Sequence, residues 1–162
     1  MSDPIVIDCP HLADDRWSRP AGMNGNTMST PYDIRMKVAF HDLDPLQVVW
    51  HGNYLKYFDV ARFGLFTARG IDLYAYMIEK KFAFPVTRTS VKHIVPLRAF
   101  DEFICQATVT EAQYKIGMAF AIRKADDGTL CARGTSEQLA VRYPEMEMEF
   151  AIPDDIRQAL GF

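Results

Sequence analysis

The stretch FHDLDPLQVVWHGNYLKYFDVARFGLF, residues 40–66, decides the fold of this chain. Its second half begins at Asn53 and runs without a proline, and its apolar residues nearly encircle the axis. That pattern predicts a long helix that is wrapped by the rest of the fold. The first half places Asp42 and Asp44 directly after a strand-like run and His51 just before the helix. Two carboxylates and a histidine on the bridge between a strand and a helix mark a candidate functional site.

The sequence on both sides of this stretch predicts a sheet around the helix. Residues 32–40 alternate apolar and polar side chains and predict the first strand, and Gly70 is the expected end of the helix. A shorter helix is predicted over 71–81, and further strands over 84–95, 102–114, 115–124 and 129–143. Asp154 or Asp155 is expected to cap a last helical turn or two. We therefore predict an α+β fold in which one five-stranded antiparallel sheet wraps around a long central helix.

Residues 1–30 differ from the rest of the chain because prolines and glycines interrupt them too often for a regular element. We interpret them as an N-terminal arm and residues 31–162 as a single domain. The arm residues expected to lie against the body are the apolar ones, namely Ile5, Val6, Ile7 and Trp17.

Composition narrows the class of protein. The 162 residues are 49% hydrophobic and 24% charged with a net charge of -3, which is typical of a soluble single domain and gives no reason to expect nucleic acid as a partner. No apolar run approaches the ~20 residues of a membrane span, and the N-terminus has no signal-peptide core. We expect a cytoplasmic protein without membrane insertion. An odd cysteine count without a CxxC motif predicts reduced thiols at Cys9, Cys105 and Cys131.

The bridge and the helix together carry a family resemblance. The pattern F-x-D-x-D-P, followed by V-V-W-H-x-x-Y-x-x-Y-F-D-x-A-R, spans residues 40–62. It resembles the 4-hydroxybenzoyl-CoA thioesterase branch of the hot-dog fold, which includes acyl-CoA thioesterases associated with the bacterial Tol-Pal system. The resemblance covers residues 32–143, including FPVTRTSVKHIVPLRAFDEF at 84–103, and leaves out the arm. It implies a hot-dog thioesterase domain that hydrolyses an acyl- or aryl-CoA to free acid and coenzyme A without a cofactor.

The resemblance also implies a site. Asp44 matches the catalytic carboxylate, and a backbone N–H near His51 matches the donor to the thioester carbonyl. The start of a buried helix presents unpaired N–H groups and about half a positive charge, which polarise a carbonyl group. A carboxylate beside that carbonyl acts as the nucleophile or as a general base toward water, and the sequence leaves both roles open. The residues expected to bind substrate are Trp50, Gly52, Asn53 and Tyr54.

Each of these residues also has a structural interpretation. Asp44 precedes Pro45, as in many turns. Asp42 is expected to hold the bridge by accepting backbone hydrogen bonds. His51 either orients substrate or caps the helix. Purely structural roles are expected for an N-cap at Gly52 or Asn53 and for an ion pair between Asp59 and Arg62.

Two positions depart from the family pattern. Related sequences often carry glycines where this chain has Leu46 and Gln47, so a different loop shape is expected. Phe40 replaces a tyrosine found in some relatives and removes a hydroxyl group from the site. Both changes bear on substrate choice more than on reaction type.

Three alternatives remain at this point. Asp42, Asp44 and His51 form an oxygen and nitrogen set, but their spacing matches no standard metal signature, and we expect no metal. A hot-dog hydratase or dehydratase would use Asp44 and His51 on the same kind of thioester. A non-catalytic module would only bind acyl thioesters.

Assembly and coenzyme A binding complete the expectations. A lone curled sheet leaves edge strands unpaired, and the resemblance implies a homodimer or homotetramer. Basic side chains are expected to hold the coenzyme A phosphates, and the candidates by charge are Arg88, Lys92, Arg98 and Arg133.

Overall fold

The structure is a computed structural model that describes residues 6–7 and 29–162. Its three helices are α1 (Asn53–Ala68), α2 (Leu73–Lys80) and α3 (Asp154–Leu160). Its strands are β1 (Val6–Ile7), β2 (Tyr32–Lys37), β3 (Phe82–Ala83), β4 (Val86–His93), β5 (Glu102–Glu111), β6 (Ile116–Lys124), β7 (Leu130–Gln138), β8 (Val141–Arg142) and β9 (Glu147–Met148). A short 3-10 turn, Phe40–Asp42, follows β2.

The main sheet has the order β1-β2-β5-β6-β7-β4, and every neighbouring pair in it is antiparallel. The five strands predicted for the domain are confirmed. A sixth comes from the arm, where β1 pairs Val6 with Met36 of β2. The predicted contacts of Ile5 and Trp17 lie outside the described residues. A second sheet of three short strands has the order β3-β8-β9.

Helix α1 packs against the inner face of the main sheet. Strand residues that alternate toward α1, such as Phe103, Met118 and Ile122, are almost completely buried with Leu65 and Phe66 of the helix. This arrangement gives the domain one continuous core, as the alternating strands and the apolar helix predict.

The sheet lies around α1 as predicted, but one stripe of the helix, which the nearly encircling apolar pattern predicts to be covered, is exposed. Leu55 is 45% exposed and Phe63 is 50% exposed, and they share one stripe of the helix with exposed Asp59 and Thr67. The stripe stays open because a single sheet covers only one side of a helix, and in the described chain no second layer lies on the other side.

Helix ends and strand ends differ from the predictions at two places. Gly70, with φ 75°, ends α1 as predicted. At α3, however, Pro153 occupies the N-cap position, and neither Asp154 nor Asp155 does. Asp155 lies in the first turn, where its Oδ1 accepts from the Tyr76 hydroxyl of α2 (2.8 Å) and from the Ile156 N–H (2.9 Å). The last strand also stops at Gln138, where its pairing with β4 ends, and β8 continues by pairing with β3.

Cys105 and Cys131 are free and buried, as predicted, and burial raises the pKa of both thiols. Cys9 lies outside the described residues. Within the part of the chain that the structure describes, no helix has both the length and the apolar character needed to cross a bilayer.

Candidate active site

The bridge between β2 and α1 is a small hairpin. The Trp50 N–H donates to the Asp42 carbonyl (2.9 Å), and the Asp44 N–H donates to the Val48 carbonyl (2.8 Å). The Gln47 N–H donates to the Asp44 carbonyl (2.9 Å) and closes a tight turn over residues 44–47. The hairpin therefore has Asp44 at its tip, opposite Val48, and Trp50 at its base beside the helix. The two residues of strand from Val48 to Trp50 span about 7 Å at 3.3 Å per residue.

Asp44 starts this turn, as its position before Pro45 predicts. It is half-buried, and its Oδ1 accepts a hydrogen bond from the Leu46 N–H (2.8 Å). Its Oδ2 accepts no hydrogen bond from any of the described residues. The backbone therefore fixes the orientation of the carboxylate through one oxygen and leaves the other available to a ligand.

Gln47 shows how this chain retains the tight turn without a glycine. Its φ is 61°, in the left-handed region that favours glycine. Gln47 takes this conformation despite its Cβ, so the turn carries backbone strain at this residue. The expected difference in loop shape from related sequences stays a prediction.

Asp42 is buried and has a structural role, but its carboxylate accepts hydrogen bonds from side chains and not from the expected backbone N–H groups. Its Oδ1 accepts from Lys56 (2.5 Å) and its Oδ2 accepts from the Tyr57 hydroxyl (2.8 Å), both in the first half of α1. Its backbone carbonyl also accepts from the Asn53 side chain (2.9 Å). Burial, and then the negative charge of Asp42, raise the pKa of Tyr57, so Tyr57 stays a neutral donor. Asp42 thus fastens the bridge to the helix.

The start of α1 is open toward solvent and uncapped. Gly52 holds the N-cap position as predicted, with no side chain to cap, and the first turn contains no acidic residue. The alternative prediction, that Asn53 is the N-cap, is wrong, because the Asn53 side-chain amide donates to the Asp42 carbonyl. Among the described residues no acceptor takes the N–H groups of His51 and Gly52. These two donors and the positive end of the helix dipole form a site for a carbonyl oxygen or an anion.

Trp50 covers this corner. A Cβ at Gly52 would lie 2.1 Å from the nearest carbon of the Trp50 ring, so only glycine permits the ring to fold over the turn. Trp50 remains 49% exposed, and its ring centroid lies 5.0 Å from that of exposed His51. Trp50, His51 and Gly52 therefore lie together at the helix start, as the sequence predicts.

Tyr54 and a residue missed by the sequence analysis, His93, complete the surroundings. Tyr54 is buried, its hydroxyl oxygen accepts from the Leu97 N–H (3.2 Å), and burial raises its pKa. The His93 ring, at the end of β4, lies 4.7 Å from the Tyr54 ring and 6.5 Å from the His51 ring between centroids. The available signal was the alternation of β4, which turns Val91 and His93 toward the helix.

Basic candidates for coenzyme A lie in two places. Lys92 of β4 is directly opposite Arg133 of β7; both are exposed, and neither has an acidic partner in the described chain. Arg98 is paired with Val48 in an isolated bridge, which brings it beside the hairpin. Arg88 is opposite Glu137.

A metal triad does not form. Among residues 6–7 and 29–162 no three histidine, cysteine, aspartate or glutamate side chains come together as a metal site. The Asp42 carboxylate is already engaged by Lys56 and Tyr57.

Comparison with known proteins places this geometry in context. The sequence profile of the thioesterase-like superfamily matches residues 38–160. Among solved structures, a 1,4-dihydroxy-2-naphthoyl-CoA thioesterase from Synechocystis is 19% identical with a TM-score of 0.72, covering 81% of this chain and 96% of that one. A gentisyl-coenzyme A thioesterase is 22% identical with a TM-score of 0.69, covering 82% and 100%.

A third structure, a 4-hydroxybenzoyl CoA thioesterase mutant complexed with 4-hydroxybenzoyl CoA, is 14% identical with a TM-score of 0.74, covering 81% of this chain and 99% of that one. A search of curated proteins finds no match. At these identities the structures establish a shared fold, the hot-dog arrangement of sheet and central helix.

Proposed function

Because the chain belongs to the thioesterase-like superfamily, we propose that it hydrolyses an acyl- or aryl-coenzyme A thioester to the free acid and coenzyme A. The observation that carries the proposal is the uncapped start of α1, where the N–H groups of His51 and Gly52 have no acceptor among the described residues. A thioester carbonyl oxygen bound there gains hydrogen bonds that strengthen as negative charge develops on it in the transition state.

Asp44 supplies the second half of the reaction. Its Oδ2 either attacks the carbonyl carbon or takes a proton from a water that attacks it. If Asp44 attacks, the C–S bond breaks as an anhydride forms between the acyl group and Asp44, and water then hydrolyses the anhydride to the free acid and the carboxylate. If water attacks, its oxygen becomes part of the free acid as the C–S bond breaks. In both routes the coenzyme A thiolate takes up a proton and leaves as a thiol. The hydrogen bond from the Leu46 N–H holds the carboxylate in one orientation, which lowers the entropic cost of reaching the reactive geometry.

Two features support a substrate class. Trp50 offers an exposed aromatic surface beside the helix start, and the three similar structures named above are thioesterases of 1,4-dihydroxy-2-naphthoyl-CoA, gentisyl-coenzyme A and 4-hydroxybenzoyl CoA. An aryl or medium aliphatic acyl group is therefore proposed at Trp50. The exposed side chains of Lys92 and Arg133 lie opposite each other on β4 and β7, and their positive charges repel. A phosphate of coenzyme A bound between them would offset that repulsion.

A homodimer or larger assembly is proposed through β4. This strand of eight residues lies at the end of the main sheet, and all of its residues except Val91 are exposed. Pairing β4 with the same strand of a second copy would satisfy its outer backbone groups and continue the sheet. His93 lies at the end of β4, so the second copy would approach the proposed site.

The decisive experiment compares Asp44→Asn with Asp127→Asn. Asp127 is a matched control because its Oδ1 accepts the N–H two residues later, that of Thr129 (2.8 Å), as Asp44 does with Leu46 (2.8 Å). An asparagine oxygen keeps either turn but removes the charge. In a thiol-release assay over a panel of acyl- and aryl-CoAs, Asp44→Asn should lower kcat about 100- to 10,000-fold. Asp127→Asn should leave it unchanged.

Three results would overturn the proposal. Equal thiol release by wild type and Asp44→Asn would remove the carboxylate from the mechanism. Gain or loss of enoyl absorbance without thiol release would indicate a hydratase or dehydratase. Binding of thioesters without any turnover would indicate the non-catalytic module.

A further inference from the structure

The starting observation is a row of four aromatic rings across the start of α1. From the core outward they are Tyr54, His93, His51 and Trp50, with successive ring centroids 4.7, 6.5 and 5.0 Å apart. Tyr54 is buried and fixed by the Leu97 N–H, whereas His51 and Trp50 are exposed. His93, which is also exposed, is the ring that joins the buried Tyr54 ring to the His51 ring.

The turn 50–53 is held at its two ends by hydrogen bonds to the Asp42 carbonyl, from the Trp50 N–H (2.9 Å) and from the Asn53 side chain (2.9 Å). Its internal restraint is the hydrogen bond from the Asn53 N–H to the Trp50 carbonyl (2.9 Å), and no side chain caps the helix after it. The His51 ring makes ring contacts with Trp50 and His93 within the described chain. The hydrogen bonds hold the two ends of the turn, and the His93 ring is the contact between the main sheet and the His51 side chain in the middle of the turn.

We infer that His93 is a positioning residue of the active site, whose ring, set between Tyr54 and His51, holds the turn 50–53 so that its N–H groups stay aimed at the thioester carbonyl. The inference rests on the proposed function. The physical reason is that a shift of about 1 Å in a donor can cost about a hundredfold in rate. His93 acts through His51 and touches no reacting atom in this scheme.

The test uses two substitutions at His93 in the full-length chain. His93→Ala removes the ring and should lower kcat about 10- to 100-fold with KM changed less than about threefold, because transition-state stabilisation is lost and substrate binding is not. His93→Phe keeps a ring of similar size and should restore kcat to within about threefold of wild type. Circular dichroism and the melting temperature establish that both variants fold.

A matched control removes another imidazole from the same region. His41 is exposed and lies 3.9 Å from Asp42 without a ring contact in the described chain, so His41→Ala should leave kcat unchanged. If His93→Phe is as impaired as His93→Ala, the imidazole has a chemical role and positioning by the ring is overturned. Full activity of His93→Ala overturns it as well.

A second readout separates this inference from the proposed function. The imidazole proton resonances of His51, assigned with His51→Gln, should move in His93→Ala and return toward their wild-type positions in His93→Phe. If the wild-type protein hydrolyses no thioester, the proposed function fails. The His51 resonances then test only whether the His93 ring holds the His51 ring. Unchanged His51 resonances in His93→Ala would overturn the inference even in an active enzyme.

Discussion

At the scale of the residue, Asp42 and Asp44 carry the same side chain in opposite surroundings. Removing a carboxylate from water costs several kcal/mol unless charges and hydrogen bonds replace the water. Asp42 is buried and receives Lys56 and the Tyr57 hydroxyl, which together satisfy both of its oxygens. Asp44 keeps contact with solvent and uses one oxygen for its own turn. One aspartate of the bridge is therefore engaged in structure, and the other keeps one oxygen available for the chemistry we propose.

Gln47 gives a prediction at this scale. Its left-handed conformation is strained by the Cβ, so Gln47→Gly should raise the free energy of unfolding by up to about 1 kcal/mol and the melting temperature by about 2–4 °C. Urea unfolding and a thermal scan measure the two quantities. Gln47→Ala is the control, since it shortens the side chain but keeps the Cβ and should give no gain. A less stable Gln47→Gly would mean that the Gln47 side chain contributes more than the strain costs.

At the scale of the element, the bridge and α1 behave as one unit. Asn53, Lys56 and Tyr57 all bond to Asp42, so the first turns of the helix are fixed to the hairpin that carries Asp44. On the side that faces the main sheet, α1 approaches β7 closely at Phe58. The Phe58 ring stacks on Phe120 of β6 with centroids 4.6 Å apart and reaches over Gly134 of β7.

This close approach predicts the effect of Gly134→Ala. The added Cβ would lie 2.5 Å from both a Phe58 ring carbon and the Ser90 carbonyl oxygen, and the carbonyl belongs to the backbone of β4 and cannot rotate away. We expect a loss of about 1–3 kcal/mol in the free energy of unfolding, measured by urea titration. Thr135→Ala is the control on the neighbouring outward-facing position and should change stability by less than about 0.5 kcal/mol. Equal values for the two variants would contradict the packing described here.

At the scale of the whole molecule, the two edges of the main sheet differ. The β2 edge is extended by two residues of the arm, and short edge strands resist further pairing. At the other edge β4 has eight residues, and in the described chain no strand pairs with its outer side. Assembly is therefore expected at β4, on the side of the sheet where His93 meets the helix start.

Light scattering tests this expectation. The molar mass in solution should be at least twice the 18.5 kDa of the chain. Thr89→Pro and Ser90→Pro each remove one N–H of β4, and consecutive N–H groups of a strand point to opposite sides, so one of the two faces the open edge. The variant that loses the N–H at the open edge should remain folded, as its thermal scan shows, and should have the molar mass of one chain. A wild-type mass of one chain, or dimers in both variants, would contradict pairing through β4.

Some of this protein was predictable because local patterns depend on neighbouring residues alone. The proline-free run from Asn53 and the glycine at Gly70 define α1, and alternation defines the inner faces of the strands. The turn at Asp44 follows from Asp-Pro. These features rest on backbone sterics and side-chain period, which act over a few residues.

The sequence by itself thus determined a sheet, a long helix and the residues on the bridge between them. Only the tertiary structure decided that Lys56 and Tyr57 bind Asp42, that Leu55 and Phe63 stay exposed, and that His93 reaches His51. The physical reason is that burial and contact between distant segments depend on how strands pair and on which side of a helix they cover. Those outcomes are set by the packing of the whole chain and cannot be read from the spacing of apolar residues within any one segment.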